Sequence, residues 1–459
     1  MKTNLYFHQA MHKIITVAFA GLFGVYCFFS GVKEVKAEKA ENFEPVLRFA
    51  VCSDVHLSNQ DDGPQNGEKF RKMFSVAYDF AAKSDYKGLD AVLVAGDMTD
   101  SGKAEEYEIY RDITKECVKE GTQLLTVMGN HEHIEYRDTT APEKAIEVFK
   151  QYVSDEVDFH KVIGGYHFIG VSYDASGKEE FKTKTEWLRA ELDKAVADTG
   201  DKPIFVMQHP HPALTVYGSV NWANMDIRLV LKDYPQVVDF SGHSHYAPND
   251  PRSIHQSTFT AIGSGGIKGT MGNLSYISGD EYGDGETGTF WLCEVDKDGN
   301  VRLRLYDLIS DCFFEDIDYL LKDVGNKKRR VYTFSRMMAQ DTAPIFPDEA
   351  KISADVNDEG ELLISFPEAS GYYRAENYKI TLSSNGETVE NKVVLSDYTR
   401  ATDFEKTVNF GELKAGQYTV KIRAFSPYAK LGDTLEWGFE VDDSGRVDTA
   451  AASVAEVKK

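Results

Sequence analysis

Cysteine is scarce: five residues in 459, at positions 27, 52, 117, 293 and 312. No two share a CxxC or other close spacing, which excludes a thiolate metal site. Cys52 reads as part of a strand and Cys117 as part of a helix, both as buried hydrophobes. Cys293 and Cys312 could pair in an oxidising compartment, although a chain of this length needs no disulfide framework. Positive charge is the second shortage. Lys and Arg number 51 against 74 Asp and Glu, a net charge of −23. That balance excludes binding of duplex nucleic acid or of anionic membranes as the main role. Long apolar runs are few. The C-terminal tail, residues 443–459, is polar and Ala-rich, is expected to be disordered, and shows no hydrophobic anchor.

One apolar run stands out. Ile14–Val32 is preceded by Lys13 and followed by Lys33-Glu34-Val35-Lys36-Ala37. Val35-x-Ala37 fits a small-residue cleavage site, so residues 1–37 read as a signal peptide and the chain as exported, secreted or held at the cell surface. The rival reading is an uncleaved anchor. With cleavage, no stable membrane insertion is expected.

The length implies two or three domains. After the leader, apolar runs alternate with helical stretches. Leu47–Cys52, Ala91–Ala95, Leu124–Met128, Tyr166–Val171, Ile204–Met207 and Val237–Phe240 read as buried strands, nearly continuous in apolar character. Glu68–Lys83, with Phe70, Phe74 and Tyr78 on one stripe, Ala104–Glu120 and Glu186–Ala197 read as helices. Phe290–Val295 and Val301–Tyr306, joined by Asp296–Asn300, read as a hairpin. The fold class is α/β over residues 45–310. A connecting segment, 311–343, holds the basic patch Lys327–Arg330, read as a solvated linker. Pro344 and Pro347 then open a smaller all-β sandwich over 344–442, with short strands at Lys351–Val356, Leu362–Phe366, Tyr378–Ser383, Val393–Leu395 and Tyr418–Ala424.

Five short segments follow the strand ends in order: Asp54-Val55-His56, Gly96-Asp97-Met98-Thr99-Asp100, Gly129-Asn130-His131-Glu132, His209, and Gly242-His243-Ser244-His245. Carboxylate, amide and imidazole donors brought from several strand ends to one crevice suit divalent metal ions such as Mn, Fe or Zn. A lone Asp after a strand is usually a turn former, and a lone His a satisfied core or surface residue. An ordered set of five is another matter.

This series resembles the calcineurin-like metallophosphoesterase superfamily, whose signature reads D-x-H, GDxxD, GNH(E/D), H and GHxH. The resemblance implies two packed sheets flanked by helices. It implies one metal ion on Asp54, His56, Asp97 and His245, and a second on Asp97, Asn130, His209 and His243, with Asp97 bridging. A metal-bridging hydroxide would attack phosphorus in line with the leaving oxygen. His131 would stand near the leaving group as proton donor or electrostatic stabiliser, and Asp100 would orient it. His133, His160, His167, His211 and His255 have no place in the signature.

Departures narrow the class. Protein phosphatases of this superfamily carry Arg just after GDxxD, where this chain has Ser101, and Gly after D-x-H, where it has Leu57. Purple acid phosphatases place Tyr at the position of Asp100. The pattern is closest in kind to class III cyclic-nucleotide phosphodiesterases. The expected substrate is a small phosphate ester, a phosphodiester first and a cyclic nucleotide as the best single choice. A phosphomonoesterase, or a surface binding protein using the C-terminal sandwich, stays open. That sandwich resembles fibronectin type III domains through the strand from Leu413 through Tyr418 to Ala424. Loops Asn59–Gly67, His133–Pro142 and Tyr217–Asn224 would set specificity; metal identity and oligomeric state are not legible.

Overall fold

The computed structural model describes residues 43–173, 178–274, 279–282, 287–402, 405–448 and 456–458, so the expected leader lies outside the described residues. Among these residues no helix is long and apolar enough to cross a membrane. The principal elements of the first half are β1 (Pro45–Cys52), α1 (Gly63–Lys83), β2 (Ala91–Ala95), α2 (Ala104–Cys117), β3 (Gln123–Val127), β4 (Phe159–Ile163), β5 (Tyr166–Val171) and α3 (Lys178–Thr199). They continue with β6 (Ile204–Gln208), α4 (Met225–Leu231), β7 (Val237–Ser241), β8 (Ile254–Gln256), β9 (Thr260–Gly263), β10 (Thr289–Asp296), β11 (Val301–Asp307) and β12 (Cys312–Leu321).

These strands make two six-stranded sheets, ordered β12-β11-β10-β1-β2-β3 and β8-β9-β7-β6-β5-β4. The pairs β1–β2, β2–β3, β5–β6, β6–β7 and β7–β9 are parallel. Side chains alternate across a strand, and here both faces are covered. Leu47, Phe49 and Val51 of β1 enter the space between the sheets, where they meet Phe168, Phe205 and Phe240. Ala50 and Cys52 face the other way, onto Phe70, Phe74 and Tyr110 of α1 and α2. The second sheet does the same, setting Ile169, Val206 and Val237 against Leu188, Leu192 and Leu231 of α3 and α4. Burial on both faces is why the strands read as unbroken apolar runs. Each large apolar side chain so buried contributes about 1.5–3 kcal/mol.

The expected α/β class holds, with differences at the edges. The helix expected from Glu68 begins at Gly63, with Pro64 in its first turn. The expected hairpin β10–β11 forms, with Phe290 opposite Tyr306 and Val295 opposite Val301. The catalytic sheet does not end there. Residues 312–321, read as connecting segment, form β12, which pairs with β11 and buries Phe314, Ile317, Tyr319 and Leu321. Glu315, Asp316 and Asp318 interrupt its apolar residues and hid that strand. The basic patch splits: Lys327, Lys328 and Arg329 are exposed, while Arg330 is buried and donates to the Pro235 and Thr258 carbonyls, both at 2.9 Å. All four cysteines among the described residues are free.

The C-terminal region adds β13 (Ser353–Val356), β14 (Leu362–Pro367), β15 (Asn377–Ser384), β16 (Glu387–Leu395), β17 (Glu405–Asn409), β18 (Gly416–Phe425) and β19 (Leu431–Val441). One sheet is β13-β14-β17 and the other β16-β15-β18-β19. Ile364, Phe366, Tyr378, Ile380, Ile422 and Trp437 fill the core they share. Within the tail expected to be disordered, Val447–Asp448 and Glu456–Lys458 pair with β19, and residues 449–455 lie outside the described residues. An open edge strand offers unpaired backbone groups that a polar segment can satisfy without any hydrophobic pattern.

Candidate metal centre

The parallel register sets the geometry. Cys52 lies opposite Val94, and Val94 opposite Thr126, so β1, β2 and β3 end level with one another. Backbone bonds carry the alignment past the strands: Asp54 N to Gly96 O at 3.0 Å, Val55 N to Asp97 O at 2.8 Å and Leu57 N to Met98 O at 2.9 Å. From the second sheet, Gly242 N bonds His209 O at 3.0 Å, and His243 N reaches both Asp54 carboxylate oxygens at 3.1 Å. The chain then turns sharply. Asp54, His56, Asp97, His243 and His245 all have φ between 50° and 74°. Side chains other than glycine rarely adopt that region, and such strain clusters at functional sites. Close packing also demands glycine at 129, where a Cβ would stand 2.2 Å from Asp97 Oδ1.

The side chains meet in three overlapping groups, of which His56, Asp97 and His131 form the one that links the other two. Asp54, His56 and His245 form one, with His56 Nε2 3.1 Å from His245 Nε2 and His245 Nε2 3.2 Å from Asp54 Oδ1. Asp97, His209 and His243 form the other, with His209 Nε2 2.9 Å from Asp97 Oδ2. His209 Nδ1 donates to Ala95 O at 2.8 Å, which turns Nε2 toward that carboxylate. His209 Nε2 and Asn130 Oδ1 are buried and make no hydrogen bond. Buried polar atoms left without a hydrogen bond at one point fit a cation among them, since an unsatisfied buried polar atom is costly. Burial would raise the Asp54 carboxyl, but His245, His209 and His56 hold it well below the usual range; Asp97 is likewise held down by His209. Burial pushes His56 and His243 down to about 4, the neutral form that ligates metal. Two divalent ions of the Mn, Fe or Zn class fit this donor set.

Residues 47–247 match the family model for calcineurin-like phosphoesterases. The domain is a calcineurin-like metallophosphoesterase domain. A glycerophosphodiester phosphodiesterase, GpdQ, of Enterobacter lignolyticus (strain SCF1) is 29% identical over 214 residues, 42% of this chain and 70% of that protein. Among solved structures, a purple acid phosphatase, PPD1, from yellow lupin (Lupinus luteus) seeds aligns with a TM-score of 0.41 and 13% identity. That alignment covers 61% of this chain and 56% of the lupin chain, so this chain spans a little over half of it. With its ligand groups in place, the metallophosphoesterase domain is that of a metal-dependent phosphoric ester hydrolase.

Around the ligands the structure refines the expected roles. His131 stands edge-on to His56, ring centroids 4.4 Å apart, with Nε2 3.9 Å from Asp97 Oδ2. It is held by Asp100, though not through the carboxylate expected: its Nδ1 lies 2.6 Å from the Asp100 carbonyl oxygen. The Asp100 carboxylate turns to His56 Nδ1, at 3.5 Å, and to Lys268 Nζ, at 3.8 Å. The tight turn of the GDxxD segment presents the carbonyl to His131 and the side chain to its neighbour.

Two contributors lay unread in the sequence. Glu132 is fully buried and accepts from Asp97 N at 2.9 Å, Thr99 N at 2.9 Å and Gly129 N at 2.6 Å, so it ties the loops after β2 and β3 together. Its position inside the GNHE segment was the available signal. Lys268, far along the chain, brings a half-exposed cation to the Asp100 side; nothing in its local sequence marks it. His211 is buried between Ser241 Oγ (2.9 Å) and Ser244 Oγ (2.7 Å) and braces the GHxH turn. His133 lies against Tyr173 O at 3.1 Å. His160 and His167 form a separate chain with Glu191 and Asp198 on the second sheet.

Proposed function

We propose that this chain is an exported, binuclear-metal phosphodiesterase acting on small phosphodiesters, with cyclic nucleotides and glycerophosphodiesters as the substrates to test first. One observation carries it: six of the seven expected donors meet in overlapping groups, with the seventh, Asn130, offering a buried Oδ1 that makes no hydrogen bond, in a segment similar to a protein described as a glycerophosphodiester phosphodiesterase. Asp54, His56, Asp97 and His245 would hold one ion, and Asp97, Asn130, His209 and His243 the other. When bound, the two ions polarise the phosphoryl oxygens and provide a nucleophile at neutral pH.

The chain's own groups do the rest. The carbonyl of Asp100 only accepts, so His131 Nδ1 carries a proton and Nε2 is the atom that exchanges one. As water oxygen bonds to phosphorus and gives up a proton to solvent, the bond to the leaving alcohol breaks, and His131 Nε2 passes a proton taken from solvent to that alcohol. Lys268 supplies local positive charge at the Asp100 side in a chain of net charge −23. Export follows from the leader reading. The C-terminal sandwich is assigned as fibronectin type III-like, supported by Tyr418 Oη donating to Lys414 O at 2.9 Å, a tyrosine-corner bond.

The test is hydrolysis of a chromogenic phosphodiester and its monoester by residues 38–459 reconstituted with manganese. Diester turnover should exceed monoester turnover, and His209→Ala should lose about 10²-fold or more. Monoester preference would replace this reading with a phosphatase.

A further inference from the structure

The loop after β6 exposes apolar side chains beside a metal ligand. Among the described residues twelve large hydrophobic side chains are exposed, and five of them, Leu214, Val220, Trp222, Met225 and Leu229, fall within residues 214–229. Trp222 is 39% exposed, and its ring stands edge-on to that of His243 with centroids 5.1 Å apart. Met225 and Leu229 are one helical turn apart on α4 and share its outer face, while Ile227, Val230 and Leu231 face the core.

This exposure is held in place by a built framework. Trp222 N donates to Gly218 O at 3.0 Å and Trp222 O accepts from His211 N at 3.1 Å. Gly218 has φ +88°, and a Cβ there would stand 2.7 Å from Ser244 Cβ, so the loop packs directly on the GHxH turn. Tyr217 is clamped by Arg252, 3.8 Å from its ring centroid, and donates to Glu376 Oε1 of the C-terminal sandwich at 2.9 Å. A rigid apolar surface of this kind marks a place where something binds.

We infer that Trp222 is a specificity-determining residue: it and its apolar neighbours receive an apolar group on the ester substituent that stays on phosphorus. This deepens the phosphodiesterase reading and rests on it. The assignment to the retained substituent follows from placement. His131, which serves the leaving alcohol, belongs to the group with His56 and Asp97, whereas Trp222 touches the group of Asp97, His209 and His243. The shared chemistry is an apolar face, offered by a nucleobase or by an alkyl chain.

Three para-nitrophenyl phosphodiesters, with methyl, phenyl or hexyl as the retained group, test it on the manganese-loaded chain. The phenyl-to-methyl and hexyl-to-methyl ratios of kcat/KM should each fall about tenfold in Trp222→Ala, mainly through KM. Trp222→Phe should keep both ratios. In Trp222→Leu, loss of the phenyl ratio alone points to a base, and retention of both to an alkyl chain. Ratios unchanged in Trp222→Ala would overturn the inference, as would a variant that has lost bound metal. If the wild type hydrolyses none of the three, the phosphodiesterase reading fails by itself. Calorimetry with phenylphosphonate and methylphosphonate then decides the inference: a wild-type preference for phenylphosphonate that Trp222→Ala abolishes upholds it, and equal affinities overturn it.

Discussion

Asp239 sits in the middle of β7, flanked in register by Val206 and Ala261 and fully buried. Gln208 Nε2 reaches its Oδ1 at 3.1 Å, while Oδ2 has no hydrogen-bond partner. Burial pushes this carboxyl up to about 8. The folded chain therefore keeps a proton that the unfolded chain has released above the ordinary carboxylate range. Stability is greatest below that range and is lost as pH rises toward 8. Asp239→Asn removes this dependence, so its thermal midpoint should exceed the wild type's at pH 8 by a few degrees, with the gap closing toward pH 5. A gap that widens on acidification would show the group is ionised in the fold. Residue identity at the metal centre was legible because the signature depends on type and order, as with Asp54-Val55-His56. The left-handed backbone at five ligands was not, since it is imposed by loops packing on one another. Nor was the turn that gives His131 a carbonyl in place of the Asp100 carboxylate.

Elements with both faces covered announced themselves as apolar runs; those with one covered face did not. β12 has its apolar residues interrupted by Glu315, Asp316 and Asp318, and β17 and β19 lie between turn signals in a region of short strands. Their pairing is decided by neighbours, which sequence does not show. β1 is the element on which most depends, because it is interior to its sheet and ends two residues before Asp54. Its Phe49 meets Phe168, Phe205 and Phe240 across the sandwich with centroids 5.3, 4.7 and 6.0 Å away. Phe49→Ala should cost about 3–5 kcal/mol, read from the denaturant midpoint, by lost burial and a cavity among rings. A loss below 1 kcal/mol would mean the sheets close over the gap.

The two halves form a joined structure at the scale of the whole molecule. Arg252 Nη2 lies 2.6 Å from Asp250 Oδ2 and 2.5 Å from Glu376 Oε1. Asn249 Nδ2 donates to Tyr398 O at 2.6 Å, and Arg400 Nε to Asp307 Oδ2 at 3.1 Å. The sandwich thus braces the segment that follows the last metal ligand. Glu376→Ala should lower stability by about 1–3 kcal/mol, because it removes one of the two carboxylates on the buried Arg252 and the acceptor of the Tyr217 hydroxyl; Glu376→Gln should cost less. No change in the melting curve of Glu376→Ala would reduce the sandwich to a tethered module. The account rests above all on two metal ions organised about Asp97, and metal stoichiometry tests it most directly. Wild-type residues 38–459, loaded with manganese and freed of excess, should retain two ions per chain and Asp97→Ala fewer than one. Two ions retained without Asp97, or none bound by the wild type, would contradict it.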